Sequence, residues 1–157
     1  MHSWWMNATV QCMPTLKAAH QFRSKFIDSF VDLERWSIEI WRHLRETNGK
    51  TPPHLGNRLK YIRDLAQEQP SPFAAPADVT GLLAELKPYC DLRKTLVHGR
   101  LETASAPDGE TFFIVENAMS EAAEAFKHRV VLRGLELNPI LARLGRLVKA
   151  ITKQALA

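Results

Sequence analysis

The stretch Tyr89-Cys-Asp-Leu-Arg-Lys-Thr-Leu-Val-His-Gly-Arg-Leu101 places a cation on an apolar helix face. At about 100° per residue, Arg93 falls in the middle of a stripe of apolar positions. These positions are Leu82, Leu83, Leu86, Cys90 and Val97. A guanidinium on a buried stripe is costly unless it is paired and hydrogen-bonded. Arg93 is therefore expected to meet a partner carboxylate, a wet cleft or a bound anion.

The end of this helix is predicted at His98 and Gly99. Glycine is the residue that most often ends a helix in the left-handed conformation, so His98 is expected on the last helical turn. Within one helix, side chains five residues apart project about 140° from each other. Arg93 and His98 would therefore converge only if the helix end unwinds at Gly99 or if a second copy of the chain contributes.

An Arg, four intervening residues and a His followed by Gly resembles the signature of the HEPN superfamily. These are small helical proteins, many of which are metal-independent ribonucleases of toxin and defence systems. The motif covers Arg93 to Gly99, and its setting at the end of a long amphipathic helix, with a predicted hairpin directly after it, fits the family. Members often carry Asn or Asp directly after the Arg, whereas this chain has Lys94.

The resemblance implies an endoribonuclease that cleaves single-stranded RNA by attack of the 2′-hydroxyl, with the sites of two protomers meeting across a dimer interface. Arg93 would clamp the phosphate, and His98 would act as base or acid, because an imidazole exchanges protons near neutral pH. The other candidate site residues are Lys94 and Arg100 for substrate binding, and Asp91 and Gly99 for support. The resemblance also implies a role as a toxin or defence component, with an antitoxin or another protein as partner.

Two other functions stay open. One is a HEPN-like module that has lost catalysis and binds RNA, a nucleotide or a protein; the other is a structural helical adaptor. Lys94 and the modest net charge of +4 favour these two. If the two motif residues serve structure instead of catalysis, His98 would interact with the helix dipole, and Arg93 would pair with an acid of the first predicted helix. The candidate acids are Asp32, Glu34 and Glu39.

Composition indicates one domain of a reduced, cytoplasmic protein. The chain has 157 residues, and its two cysteines, Cys12 and Cys90, provide neither a disulfide framework nor metal-ligand spacing. No apolar run reaches the ~18 residues that span a bilayer, and the sequence has no phosphate-binding glycine loop or nucleophile elbow. We expect no metal, no cofactor and no membrane contact.

The C-terminal region is basic. From Lys127 onwards, the sequence has seven Lys or Arg residues and a single acid, Glu136. The seven are Lys127, Arg129, Arg133, Arg143, Arg146, Lys149 and Lys153. Such a segment contacts phosphates or forms a solvated helix face, and the sequence leaves both interpretations open.

The predicted fold is mainly α: a bundle of four to five helices with one β-hairpin inserted after the third helix, forming a homodimer across the motif helix. Residues 1–20 are expected to be a flexible leader, and residues 21–157 a single HEPN-like domain. A first helix is predicted from about Ala19 to Thr47, with a buried stripe from Phe26 to Leu44. A second follows Thr51-Pro52-Pro53 and buries Leu55, Leu59, Ile62 and Ala66.

The remaining elements are predicted from turn signals and changes of period. Residues 70–76 form a loop, and a third helix begins at Asp78 or Thr80 and bends near Pro88. After Gly99 a hairpin turns at Pro107-Asp108-Gly109, with Phe112, Phe113 or Ile114 packed on the helices. A fourth helix is predicted from Asn117 or Ser120 to Leu137, and a fifth from Asn138-Pro139 with Leu141, Leu144, Val148 and Ile151 buried.

Overall fold

The computed structural model describes residues 16–44, 52–117 and 129–157. The fold is mainly α, as predicted, with helices α1 (Leu16–Asp28), α2 (Val31–Leu44), α3 (Leu55–Ala66), α4 (Pro76–His98) and α5 (Leu137–Ile151). Strands β1 (Gly99–Ser105), β2 (Thr111–Asn117) and β3 (Arg129–Arg133) lie between α4 and α5, and a 3-10 turn at Gly134–Glu136 precedes α5.

The predicted boundary between leader and domain falls inside a helix. Residues 1–15 of the predicted leader lie outside the described residues, but residues 16–20 belong to α1. Ala19 is fully buried in the core. The helical domain therefore begins before residue 21.

The predicted first helix is two helices, α1 and α2, joined by a turn at Ser29 and Phe30. The backbone N–H of Phe30 bonds to Ile27 O at 3.1 Å, an i to i−3 bond that interrupts the α-helical ladder. Phe26 and Phe30 are nonetheless both fully buried, four residues apart. The apolar period runs through the turn, which is why periodicity alone does not reveal the break.

Helix α3 follows the sequence pattern closely, whereas α4 follows it only in part: Leu83 and Leu86 are buried as predicted, but Val97 is exposed. The buried apolar residues of α3 are the four predicted: Leu55, Leu59, Ile62 and Ala66. Helix α4 begins at Pro76, earlier than expected, because proline is well suited to the first helical turn. It stays helical through the exposed Pro88 to His98.

The hairpin is confirmed, and it is part of a three-stranded antiparallel sheet in the order β1-β2-β3. Gly109 has a φ of 86° in the β1–β2 turn, a conformation that favours glycine. Phe113 and Val115 of β2 are buried against the helices, whereas Phe112 and Ile114 are partly exposed. The hairpin thus packs on the bundle through alternate residues of β2.

The predicted fourth helix is wrong over its C-terminal part. Residues 129–133 form β3, paired in register with β2 from Phe112 to Glu116. Residues 118–128 lie outside the described residues. The run Val130-Val131-Leu132 has the β-branched character of a strand, and the open edge of β2 gives it backbone partners.

Helix α5 packs its apolar side on the bundle. Leu144, Val148 and Ile151 are buried as predicted, whereas Leu141 is partly exposed and Leu147 is buried. The indole N–H of Trp36 donates to Gln154 O at 3.3 Å and ties α2 to the segment after α5. Among the described residues, no helix has the length and apolar character needed to cross a membrane.

Candidate functional site

Arg93 is held by Glu34 of its own chain. Its Nη2 donates to Glu34 Oε1 at 2.6 Å and so joins α4 to α2. The guanidinium carbon also lies 5.3 Å from the ring centroid of Phe30, within the range of a cation–π interaction. The Arg93 side chain keeps 29% of its surface exposed, and that of Glu34 keeps 39%. The partner carboxylate expected for Arg93 is therefore Glu34, one of the three candidate acids.

A second arginine, Arg58 of α3, lies beside this pair. It is 5% exposed. Its Nε donates to Ser37 Oγ at 3.0 Å, and its Nη1 donates to Pro52 O at 2.7 Å and to Pro53 O at 3.3 Å. The hydroxyl of Ser37, itself fully buried, donates to the backbone O of Glu34 at 2.8 Å. We call Glu34, Ser37, Arg58 and Arg93 the arginine cluster.

The electrostatics of the arginine cluster centre on Glu34. Burial lowers the pKa of Arg58, the negative charge of Glu34 raises it, and the positive charge of Arg93 lowers it again. Glu34 pairs directly with Arg93, and its charge also acts on Arg58, so one carboxylate lies near two guanidinium groups and the cluster has an excess positive charge. Arg93 Nε is buried and has no hydrogen-bond partner among the described residues. The cluster links α2, α3 and α4 at one place.

Sequence reasoning missed Arg58, although the signal was present. Arg58 stands on the apolar face of its helix, three residues after Leu55 and four before Ile62. The same feature, a cation on an apolar stripe, singled out Arg93. Applied to α3, it would have predicted a second arginine on a buried helix face.

His98 lies at the other end of the motif, away from the arginine cluster. It is the last residue of α4 and is exposed. The N–H of Gly99 bonds to Thr95 O, so the helix stays regular to its end. Arg93 and His98 therefore project about 140° apart and do not converge within one chain. No hydrogen bond or ion pair to the His98 imidazole occurs within the described parts of the chain.

Gly99 is not in the left-handed conformation that the sequence predicts. Its φ of −85° and ψ of 148° are extended, and it begins β1 directly. The reason for glycine is space: a Cβ there would lie 2.4 Å from Val115 Cγ1 and 2.5 Å from Thr95 O. Gly99 thus lets the end of α4 and the middle of the sheet approach closely.

The end of α4 is also capped from α1. Arg23 Nη2 donates to Val97 O at 3.0 Å and satisfies one of the carbonyls left open at a helix C-terminus. Sequence reasoning missed Arg23, because this bond spans 74 residues and has no local signal. Val97 itself is 37% exposed, and Leu96 takes the buried position that was predicted for Val97.

The flanking candidate residues lie at the surface. Asp91 pairs with Lys87, one turn earlier, at 3.3 Å. Arg100 pairs with Glu102 on the same strand at 3.2 Å. Lys94 is exposed and forms no ion pair with a described residue. The structure brings none of these three side chains into the arginine cluster.

Burial, and to a lesser degree the negative charge of Asp91, raise the pKa of the Cys90 thiol to about 11, so the thiol is protonated at neutral pH and is a poor nucleophile. No group of three or more His, Cys, Asp or Glu residues able to hold a metal ion occurs in the described ranges.

Comparisons with protein-family models, with curated proteins and with solved structures gave no match. The HEPN resemblance therefore rests on the motif from Arg93 to Gly99 and on its place at the end of α4.

Proposed function

We propose that this chain is a non-catalytic, HEPN-like module that binds RNA without cleaving it. The ligand class follows from the resemblance of the Arg93-to-Gly99 motif. The loss of catalysis is supported by one observation, the 2.6 Å ion pair between Arg93 and Glu34 within a single chain.

The ion pair engages the Arg93 guanidinium that cleavage would require. A metal-independent ribonuclease must place positive charge on the phosphate oxygens as negative charge develops there. At Arg93 a carboxylate already occupies that place, and a phosphate would face Glu34 as well as the guanidinium. His98 cannot compensate within the same chain, because the intact helix holds it about 140° away.

To test the proposal, one RNA is assayed both for binding to the protein and for cleavage. A labelled single-stranded RNA is incubated with the protein in EDTA, resolved once on a native gel and once, after denaturation, on a sequencing gel. We expect a retarded complex on the first gel and full-length RNA on the second. Absence of a complex would refute RNA binding, and shortened RNA would refute the loss of catalysis.

A dimeric nuclease is the second candidate, favoured by the exposure of the motif. His98 and Val97 both reach the surface, and Arg93 is partly exposed. A second copy docked along this end of α4 would bring a partner histidine towards each arginine. This candidate requires cleavage in EDTA that is lost when the dimer is broken by Val97→Lys, whereas the binding module gives intact RNA with or without that change.

A further inference from the structure

The exposed side of α5 has a row of cations that take no part in the arginine cluster and do not involve His98. Arg143, Arg146 and Lys149 stand three residues apart along α5, and Lys153 follows in the turn after it. All four side chains are exposed. We call them the basic face.

The basic face contains no acid. The sequence of α5 from Leu137 to Ile151 has neither Asp nor Glu. None of the four cations forms an ion pair with a described residue. Like charges three or four residues apart on a helix repel each other, so the arrangement reduces helix stability. An ordinary solvated face mixes both signs and avoids this cost.

Stabilisation of the helix dipole accounts for only part of the row. Cations are favourable in the last turn of a helix, where the carbonyl ends point, and the effect fades beyond that turn. Lys149 lies in the last turn, and Lys153 just beyond it. Arg143 and Arg146 lie nearer the middle of α5, where the helix dipole does not stabilise a cation.

The residues around the cations favour a nucleic acid over a membrane surface. A helix that lies on a membrane inserts large apolar side chains next to its basic residues. The exposed large apolar residues of the described chain are Leu16, Val31, Val97, Val131 and Leu135, and none belongs to α5. Ala142 and Gly145, also exposed, are the small residues among the cations.

We propose that the basic face of α5 is the surface on which this protein holds the phosphate backbone of RNA. The inference rests on the proposed function for its ligand class and adds the place where the ligand binds. The cations follow one another at about 4.5–6 Å along the helix, which suits successive phosphates. The face has no aromatic side chain on which bases could stack, so binding there is independent of sequence.

The test compares two sets of four neutral substitutions by fluorescence anisotropy with labelled polyuridine. The first set is Arg143→Gln, Arg146→Gln, Lys149→Gln and Lys153→Gln. The second removes four exposed cations elsewhere, Lys17, Lys25, Arg42 and Lys60, and has the same net charge. We expect the first set to bind more than about tenfold more weakly and to flatten the slope of log K against log salt by about 3, because each phosphate contact contributes about −0.7. The second set should keep most of the RNA affinity and most of the salt dependence of binding.

Each other outcome has a defined meaning. If both sets weaken binding equally, or the first leaves it unchanged, the basic face is not the site although RNA binding stands. If the unaltered protein does not bind polyuridine, the proposed function itself fails. Tighter binding to vesicles containing phosphatidylserine than to polyuridine would overturn RNA as the ligand of this face. Arg143→Lys with Arg146→Lys, which preserves the charge, must retain the slope; its loss would also contradict the proposal.

Discussion

At the residue scale, the character of the site is decided by Glu34. The motif in the sequence predicts that Arg93 holds a phosphate. In the structure Arg93 links α4 to α2 instead, because Glu34 Oε1 lies 2.6 Å from its Nη2. The negative charge of Glu34 also acts on Arg58, although the hydrogen bonds of Arg58 go to Ser37, Pro52 and Pro53. Glu34 therefore offsets the free-energy cost of partly burying two arginines in the fold.

Replacing Glu34 by Gln should reveal this role. Glutamine keeps the shape and an acceptor oxygen but leaves Arg58 and Arg93 without a counter-charge. We expect the free energy of unfolding to fall by about 1–3 kcal/mol in urea titrations. Asp32→Asn is the matched control, because Asp32 forms an exposed pair with Arg35 on the same helix, and it should change stability by less than about 0.5 kcal/mol.

The double variant Glu34→Leu with Arg93→Met completes this comparison. Removing both charges avoids an unpaired cation at position 93. The double variant should therefore lose less free energy of unfolding than Glu34→Leu alone. Equal stability of Glu34→Gln and Asp32→Asn would mean that the ion pair does not hold the helices together.

The thiol of Cys90 should react slowly while the protein is folded. In a Cys12→Ser background, iodoacetamide at about pH 8 should label the native protein about 100-fold more slowly than the urea-unfolded protein, because burial raises the pKa from 9.0 to about 11. The folded state favours the protonated thiol, so its contribution to stability is complete below pH 9.0 and is lost as the pH rises through about 11. Equal labelling rates in the two states would contradict burial of this thiol.

At the scale of elements, the junction of α4 with β1 depends on the absence of a side chain at Gly99. Its backbone is extended, so alanine is strained there only by contact with Val115 and with the carbonyl of Thr95. The sheet and the helix end cannot both stay in place if that space is filled. This junction positions His98 relative to the hairpin.

Gly99→Ala should therefore destabilise the fold, by about 1–3 kcal/mol in thermal or urea unfolding. Gly81→Ala in the same helix is the control, because a Cβ there meets nothing within 4 Å. It should raise the free energy of unfolding by about 0.5–1 kcal/mol through helix propensity. Should both glycines respond in the same direction, close packing is not what Gly99 provides.

Sequence predicted the elements whose signals are local. The apolar period of α3 and α5, the hairpin turn at Gly109 and the position of His98 at a helix end each depend on residues close together in the chain. Strand β3 was missed because its partners belong to β2, and the turn at Ser29 was missed because the apolar period continues through it. In the site, Arg93 was recognised as needing an acid, but only the packing of α2 against α4 selects Glu34.

At the scale of the whole molecule, the arginine cluster and the basic face of α5 have separate roles in the proposed function. The arginine cluster links three helices of the bundle, and the basic face of α5 is the surface that we propose for RNA. These roles predict opposite results for substitutions: changes in the cluster alter stability, and changes in the basic face alter RNA affinity. We therefore propose that Arg93 serves the structure of the bundle and that RNA binds to a different helix.

The most direct test of this assignment is the fate of RNA bound to the unaltered protein. Labelled single-stranded RNA is incubated in EDTA at protein concentrations that saturate binding, in parallel with His98→Ala. We predict that the RNA is bound and recovered at full length with both proteins. Products ending in a 2′,3′-cyclic phosphate with the unaltered protein, and their absence with a folded His98→Ala variant, would contradict the account.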